Sequence, residues 1–278
     1  HANILDRDQD IRRLDLVLNL PGFLQALNEA EADSKPIPTL AAELAKAIGS
    51  GGQGNVPRAY LEAGDVPAAI QDRLATILAP CSRLEALRAA CETAYRDTQA
   101  YPDDNEGWSN FAGPKNVVVF TKWPVVAYLL QLWAESKLDG DSYQSGLLHS
   151  GMTEKQRMDL IDWFGLFIDE EDGSPKARTK ILFSTYELGS TGLDGLKVAN
   201  YLVHYGVNKN VIDVSQASGR VDRQGQPLTC FIQFLQSSEQ PLDRLTLSLR
   251  DSRDSLFGQQ GILGEIAGWS HSGDAAAQ

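Results

Sequence analysis

No apolar run in these 278 residues approaches the ~18 needed to cross a membrane as a helix, and no secretory leader pattern opens the chain. Cysteine is scarce. Cys81, Cys91 and Cys230 show no metal-ligand spacing, and their odd number argues against a disulfide framework, so a reducing, intracellular setting is expected. The phosphate-cradling pattern G-x-x-x-x-G-K-[ST] occurs nowhere, so the chain is not expected to hold a nucleotide's phosphates by itself. Positive charge is also short, with 25 Lys and Arg against 37 Asp and Glu, a net charge of -12. That balance disfavours a broad nucleic-acid surface and leaves room for a narrow basic strip. Part of the acidity is local, in the run Asp169-Glu170-Glu171-Asp172. What remains is ordinary for a globular protein, 42% hydrophobic and 22% charged. The length suits one large domain with an appendage. His1-Ala2 reads as an artificial boundary, so further sequence upstream is expected.

Two regimes divide the chain. Residues 1–79 carry helical patterns at Leu14 to Leu27 and Thr39 to Ile48, broken by Pro and Gly, with no clear strand. Within them Gly49-Ser50-Gly51-Gly52-Gln53-Gly54 formally fits a dinucleotide fingerprint. A helical run precedes it and Asn-Val-Pro follows, so a flexible linker is the better reading. From residue 80 to 258 apolar strands alternate with amphipathic helices. Arg83 to Arg96 is a helix. Asn116 to Thr121 is a continuous β-branched run, the mark of a strand buried on both faces. Pro124 suits the first turn of a helix running through Trp133. A short strand at Leu147-Leu148 precedes the capping box Thr153 to Gln156, after which Leu160, Ile161, Phe164 and Phe167 recur at helical spacing. Strands are expected at Lys180 to Ser184, Tyr201 to Tyr205 and Cys230 to Leu235, and a last helix at Pro241 to Phe257. Residues 259–278 read as a loose tail. Such alternation implies an α/β fold with a mainly parallel sheet, its functional loops at the strand carboxyl ends.

The segment Gln216-Ala-Ser-Gly-Arg220-Val-Asp-Arg223-Gln-Gly-Gln226 is the most informative. At about 100° per residue, Gln216, Arg220 and Arg223 would fall on one helical face, while Gly225 and Pro227 end the helix. Paired guanidiniums suit a phosphate-like target because each presents planar, bidentate donors. The competing reading is a salt-bridged surface helix, with Asp213 as N-cap, Gln216 completing its capping box and Arg223 paired to Asp222 or Asp213.

That segment resembles the last helicase motif of Swi/Snf-type ATPases: Gln, then Arg, two residues, Arg, one residue, Gly-Gln. Ser184-Thr185-Tyr-Glu-Leu-Gly189-Ser-Thr-Gly192-Leu-Asp194 is similar to the motif before it. Val118-Val-Phe-Thr-Lys-Trp123 resembles the strand that opens this lobe, and His149 to Arg157 the intermediate motif. The order of the four matches the family over most of the second regime. Departures exist. Leu188-Gly189 stands where two glycines are usual, Gly195 is an extra residue, and Asp-x-x-Trp-Asn-Pro is replaced around Gly206 to Val211, with Asn210 retained.

The resemblance implies a RecA-like three-layer lobe preceded by a helical extension. ATP, with Mg, would be held mainly by a separate N-terminal lobe, so this chain alone is expected to be inactive and to bind neither tightly. Arg220 and Arg223 would reach the γ-phosphate as arginine fingers. Gly192, Asp194 and Gln216 would lie near the nucleotide, although turn chemistry for Gly192 and capping for Asp194 and Gln216 remain open. Thr121, Lys122, Ser184 and Thr185 would grip the backbone of double-stranded DNA, without base readout. Expected partners are the N-terminal lobe, duplex DNA and nucleosomes or other DNA-bound proteins, in a nuclear setting. Other readings are a lobe of an RNA helicase of the same superfamily, or a scaffold that has lost activity. His149 is read as a packed loop histidine, His204 as a sheet residue, and Trp123 and Trp133 as core.

Overall fold

A computed structural model describes residues 19–22, 75–101, 112–166, 177–190, 195–206, 208 and 210–236. The expected elements Thr39 to Ile48, Gly49 to Gly54, Pro241 to Phe257 and the tail from 259 lie outside the described residues, as do the acidic run, Phe167, Gly192 and Asp194. Element order is α1 (Ser82–Arg96), β1 (Asn116–Thr121), α2 (Pro124–Lys137), β2 (Tyr143–Leu147), α3 (Glu154–Gly165), β3 (Thr179–Thr185) and α4 (Tyr186–Ser190). A 3-10 turn (Gly195–Val198), β4 (Ala199–Tyr205), α5 (Val211–Val221) and β5 (Phe231–Leu235) follow.

The five strands form one sheet in the order β2-β3-β1-β4-β5, and every pairing is parallel. The β-branched run is the central strand. Val117, Val118, Val119 and Phe120 are all 0% exposed, which a strand covered on both faces requires. Its alternate residues feed two cores. Val117 and Val119 join Ile181, Phe183 and Val203 beneath α1 and α2. Val118 and Phe120 join Leu182, Leu202, Phe164, Leu196, Val214 and Val221 on the side of α3 and α5. This is the three-layer α/β arrangement with a parallel sheet anticipated from the strand–helix alternation, and it fits the RecA-like lobe that the resemblance implied.

Local chemistry sets most boundaries. Pro124 opens α2, where the missing N–H costs nothing. Thr153 and Gln156 close a reciprocal capping box, with Thr153 N–H donating to Gln156 Oε1 at 2.8 Å. Lys180, buried within β3, sends its ammonium to the final carbonyls of α3, including Leu166 at 3.1 Å, where a cation meets the negative end of the helix.

Three expectations are corrected. The strand read at Leu147-Leu148 is Tyr143–Leu147, paired to β3 from Tyr143↔Thr179 onward. As an edge strand it is only half-buried, and Tyr-Gln-Ser-Gly carries no β-branched signal. Of the helix read through Leu14 to Leu27 only residues 19–22 are described, and there Leu20 is in a bend and Pro21, which has no N–H to donate, in a turn. Asp213 is not the N-cap of α5: that role belongs to Asn210, whose side chain accepts from Ile212 N–H at 3.2 Å. Gln216 therefore sits mid-helix and exposed, and completes no capping box.

Part of the leading region joins the lobe's own core, through Leu20, Ile77 and Leu78. Asn19 accepts from the Tyr205 hydroxyl at its carbonyl and from Arg83 at its side chain, both at 3.0 Å.

Candidate functional site

α5 leaves the carboxyl end of β4 and runs back along the sheet. Its 11 residues rise about 16 Å, so its last turn comes down near the amino ends of the strands. The following chain is pinned there by Gln226. The Gln226 amide donates to the carbonyls of Lys197, Ala199 (2.9 Å) and Val221 (3.4 Å). Its Oε1 accepts from Asn200 Nδ2 at 3.4 Å, and Asn200 accepts in turn from the buried Tyr101 hydroxyl. Burial and the nearby Asp97 push the Tyr101 hydroxyl pKa well above its ordinary value, so this phenol stays a donor. Gly225, with φ of 92°, makes the turn that returns the chain to its latch.

Arg220 lies in the last turn of α5, half-exposed; Arg223 is exposed in the turn beyond it. A single helical face for Gln216, Arg220 and Arg223 is corrected in part. α5 ends at Val221, and Arg223 N–H already donates to the Val221 carbonyl at 3.1 Å, so Arg223 leaves the helical spiral. The Gln226 contacts capture that last turn, and no residue-by-residue periodicity could reveal them. The Lys197 ammonium belongs to the same corner, 4.0 Å from where a Cβ on Gly225 would stand. Lys197 was not among the expected site residues, and Gln226 was expected only as the end of the last motif, with no role of its own. The Gly-Gln that ends the last motif was a usable signal for the second; Lys197 had none. Arg220, Arg223 and Lys197 thus belong to the segments that Gln226 ties to the entry of β4, and guanidinium and ammonium groups are the donor types suited to an anion. Gly192 and Asp194, expected beside them, lie outside the described residues.

The other expected cluster is elsewhere. Thr121 and Thr185 are register partners at the carboxyl ends of β1 and β3, and Ser184 pairs with Phe120 one step earlier. The fold does bring these hydroxyls together, but it covers them: Thr121, Ser184 and Thr185 are 1%, 0% and 5% exposed. Thr121 Oγ1 has no hydrogen-bond partner among the described residues, an unspent polar atom of the kind that usually marks water or ligand. Lys122 is half-buried, with its ammonium 4.5 Å from the centre of the Trp123 ring. The arginine corner and the hydroxyl cluster therefore occupy opposite ends of the sheet. Of the two expected groups, the hydroxyls lie at the strand carboxyl ends, while the helix that returns antiparallel carries the arginines to the other end.

Trp123 and Trp133 are buried as expected, although Trp123 is the N-cap of α2 and lies outside its helical face. His149 is half-buried in the loop after β2, and His204 is a fully buried residue of β4.

Residues 109–225 match the helicase conserved C-terminal domain. A solved structure described as the C-terminal part of the Fun30 ATPase domain is similar at 18% identity, over 63% of this chain and 46% of that one, with a TM-score of 0.46. The chain thus spans less than half the length of that solved chain. No curated protein matches it. The order of the motifs and the all-parallel five-stranded sheet agree with that domain match, and residues 109–225 are similar to a helicase C-terminal domain.

Proposed function

We propose that this lobe is the arginine-bearing half of an ATP-dependent DNA translocase of Swi/Snf type, which supplies Arg220 and Arg223 to ATP held mainly by a second, N-terminal lobe. The observation that carries the reading is the arginine corner. Arg220 lies in the last turn of a helix that Gln226 latches at Val221, Arg223 is exposed in the turn that follows, and the Lys197 ammonium is near Gly225 of that same turn. Preorganised cations are what phosphoryl transfer asks of a protein, since charge spreads over the transferred oxygens in the transition state. ATP would arrive with Mg on the partner lobe, and the chain by itself would not turn over. Gly192, Asp194 and Gln216 would line the nucleotide side of this corner.

The DNA grip is assigned to the opposite end of the sheet. Lys122 would supply a cation there, and Thr121, Ser184 and Thr185, buried at the ends of β1 and β3, would supply hydroxyls. Thr121 Oγ1, without a hydrogen-bond partner among the described residues, supports a polar ligand at that end. Phosphate contacts of this kind position a duplex without reading bases. The biological setting proposed is nuclear, with nucleosomes or other DNA-bound proteins as the remodelled cargo.

The test is ATP turnover of the two-lobe protein. Arg220→Ala and Arg223→Ala should each lower the DNA-stimulated rate, by roughly 10³-fold or more for a true finger. Parent-like turnover in both variants would remove the assignment. Stimulation by duplex RNA rather than duplex DNA would transfer the reading to an RNA helicase of the same superfamily.

A further inference from the structure

His204 is 0% exposed on the face of β4 that meets α5, and aromatic rings surround it. Tyr186 stacks on it at 5.6 Å with 5° between planes, Phe234 at 4.5 Å with 12°, and Phe120 lies tilted at 6.4 Å. Its two ring nitrogens face two different elements. Nδ1 is 3.0 Å from the hydroxyl of Tyr186, the first residue of α4, and Nε2 is 3.1 Å from Ser218 Oγ on α5. Ser218 Oγ is in turn 2.8 Å from the carbonyl of Val214.

The tautomer turns on where the Ser218 proton goes. Assigned to the Val214 carbonyl, the nearer acceptor at 2.8 Å against 3.1 Å, it leaves Ser218 only a lone pair for His204. On that assignment Nε2 carries the ring proton. In the neutral imidazole Nδ1 is left as an acceptor, and the Tyr186 hydroxyl donates to it. With that assignment these three donors point one way, from Tyr186 through His204 and Ser218 to Val214. The stacks hold the ring's plane while the hydrogen bonds hold its rotation within that plane.

A phenylalanine or leucine would fill this space without burying polar atoms, so packing alone does not call for an imidazole. Location is more telling. Ser218 is two residues before Arg220, and Tyr186 directly follows Thr185 at the covered end of β3. We infer that His204 is a positioning residue. As the Nε2-protonated neutral ring, it fixes the last turns of α5 against β4 and α4, and so sets where Arg220 points. Through Tyr186 the same ring ties the arginine helix to the strand end that bears Ser184 and Thr185, so displacement of α4 is carried to the arginine corner at the other end of the sheet. This rests on the finger reading proposed above.

Two measurements test it. Long-range proton–nitrogen spectra of the 278-residue chain should show His204 protonated at Nε2 alone, and Ser218→Ala should release it to a mixture of tautomers. In the two-lobe protein, Ser218→Ala and Tyr186→Phe should each lower ATP turnover about tenfold, part of the ~100-fold that a 1 Å misplacement can cost. KM for ATP should stay within about twofold, since ground-state binding is untouched. The double variant should be no slower than the slower single, because both act through one ring. Tyr186→Phe keeps both ring stacks and guards against a mere loss of folding. Nδ1 protonation in the parent overturns the positioning role. So do full turnover in both singles beside an inactive Arg220→Ala, and defects that simply multiply in the double; each of these leaves the finger reading standing. Full turnover in Arg220→Ala removes the finger reading, and the positioning role falls with it.

Discussion

Replacing Gln226 by alanine should loosen the arginine corner by an amount the geometry allows one to gauge. The amide makes two close bonds, to the carbonyls of Lys197 and Ala199, and a longer one to Val221 at 3.4 Å. Each good intramolecular bond contributes about 1 kcal/mol net, and a carbonyl left without a partner in a covered site costs about 1 kcal/mol more. Ala199 is fully buried, so water cannot replace the lost donor at its carbonyl without rearrangement. The expected loss is therefore about 2–3 kcal/mol. In urea unfolding of this chain that corresponds to a fall in midpoint on the order of 1 M, with the slope unchanged. Gln224→Ala, two residues away and exposed, is the matched control and should stay within about 0.5 kcal/mol of the parent. If Gln226→Ala also stays within about 0.5 kcal/mol, the latch is not holding the turn, and the fixed placement of Arg223 loses its physical basis.

Two further outcomes are expected. Gly206→Ala forces a left-handed φ of 87° on a residue with a Cβ and sets that carbon 2.3 Å from Asn19 Oδ1, which Arg83 holds at 3.0 Å. The conformational part alone costs roughly 1–2 kcal/mol, so thermal unfolding should show at least that loss. Asn19→Ala in the same chain should relieve the steric remainder, and a parent-like melting temperature for Gly206→Ala would refute the contact. The second outcome concerns alkaline pH. Burial, more than any charge, raises the hydroxyl pKa values of Tyr205, Tyr101 and Tyr201 well above their ordinary value. A hydroxyl that keeps its proton longer when folded contributes stability that is complete below about pH 10, the unfolded value, and is lost as pH rises from there through the folded value. Tyr205→Phe should flatten that decline in denaturation midpoints measured between about pH 8 and pH 11; an unchanged slope would show that Tyr205 is not the group responsible.

Much of the lobe was legible because its signals are local. The run Asn116 to Thr121 could only be a strand buried on both sides, and the alternation after it implied a parallel sheet. Pro124 and Thr153 marked helix starts that the structure keeps. Errors came where a local rule met a tertiary contact. Asp213 has the chemistry of an N-cap, yet Asn210 holds the first turn three residues earlier. Tyr143 to Gly146 has weak strand propensity and pairs with β3 nonetheless, as edge strands can.

For the candidate site, the sequence alone determined the identities and spacing of Gln216, Arg220 and Arg223 and of the hydroxyls ending β1 and β3, because helicase motifs are runs of neighbouring residues. Only the tertiary structure decided where those groups stand. It placed the arginines and the hydroxyls at opposite ends of one sheet, buried the hydroxyls and took Arg223 off the helical face. It also drew in Lys197, Gln226 and the Tyr186–His204–Ser218 chain, which no periodicity announces. The physical reason is that a helix returning along a parallel sheet is fixed by side-chain bonds between residues remote in sequence, such as Gln226 with Lys197 and Ala199, and those bonds exist only once the strands have been assembled.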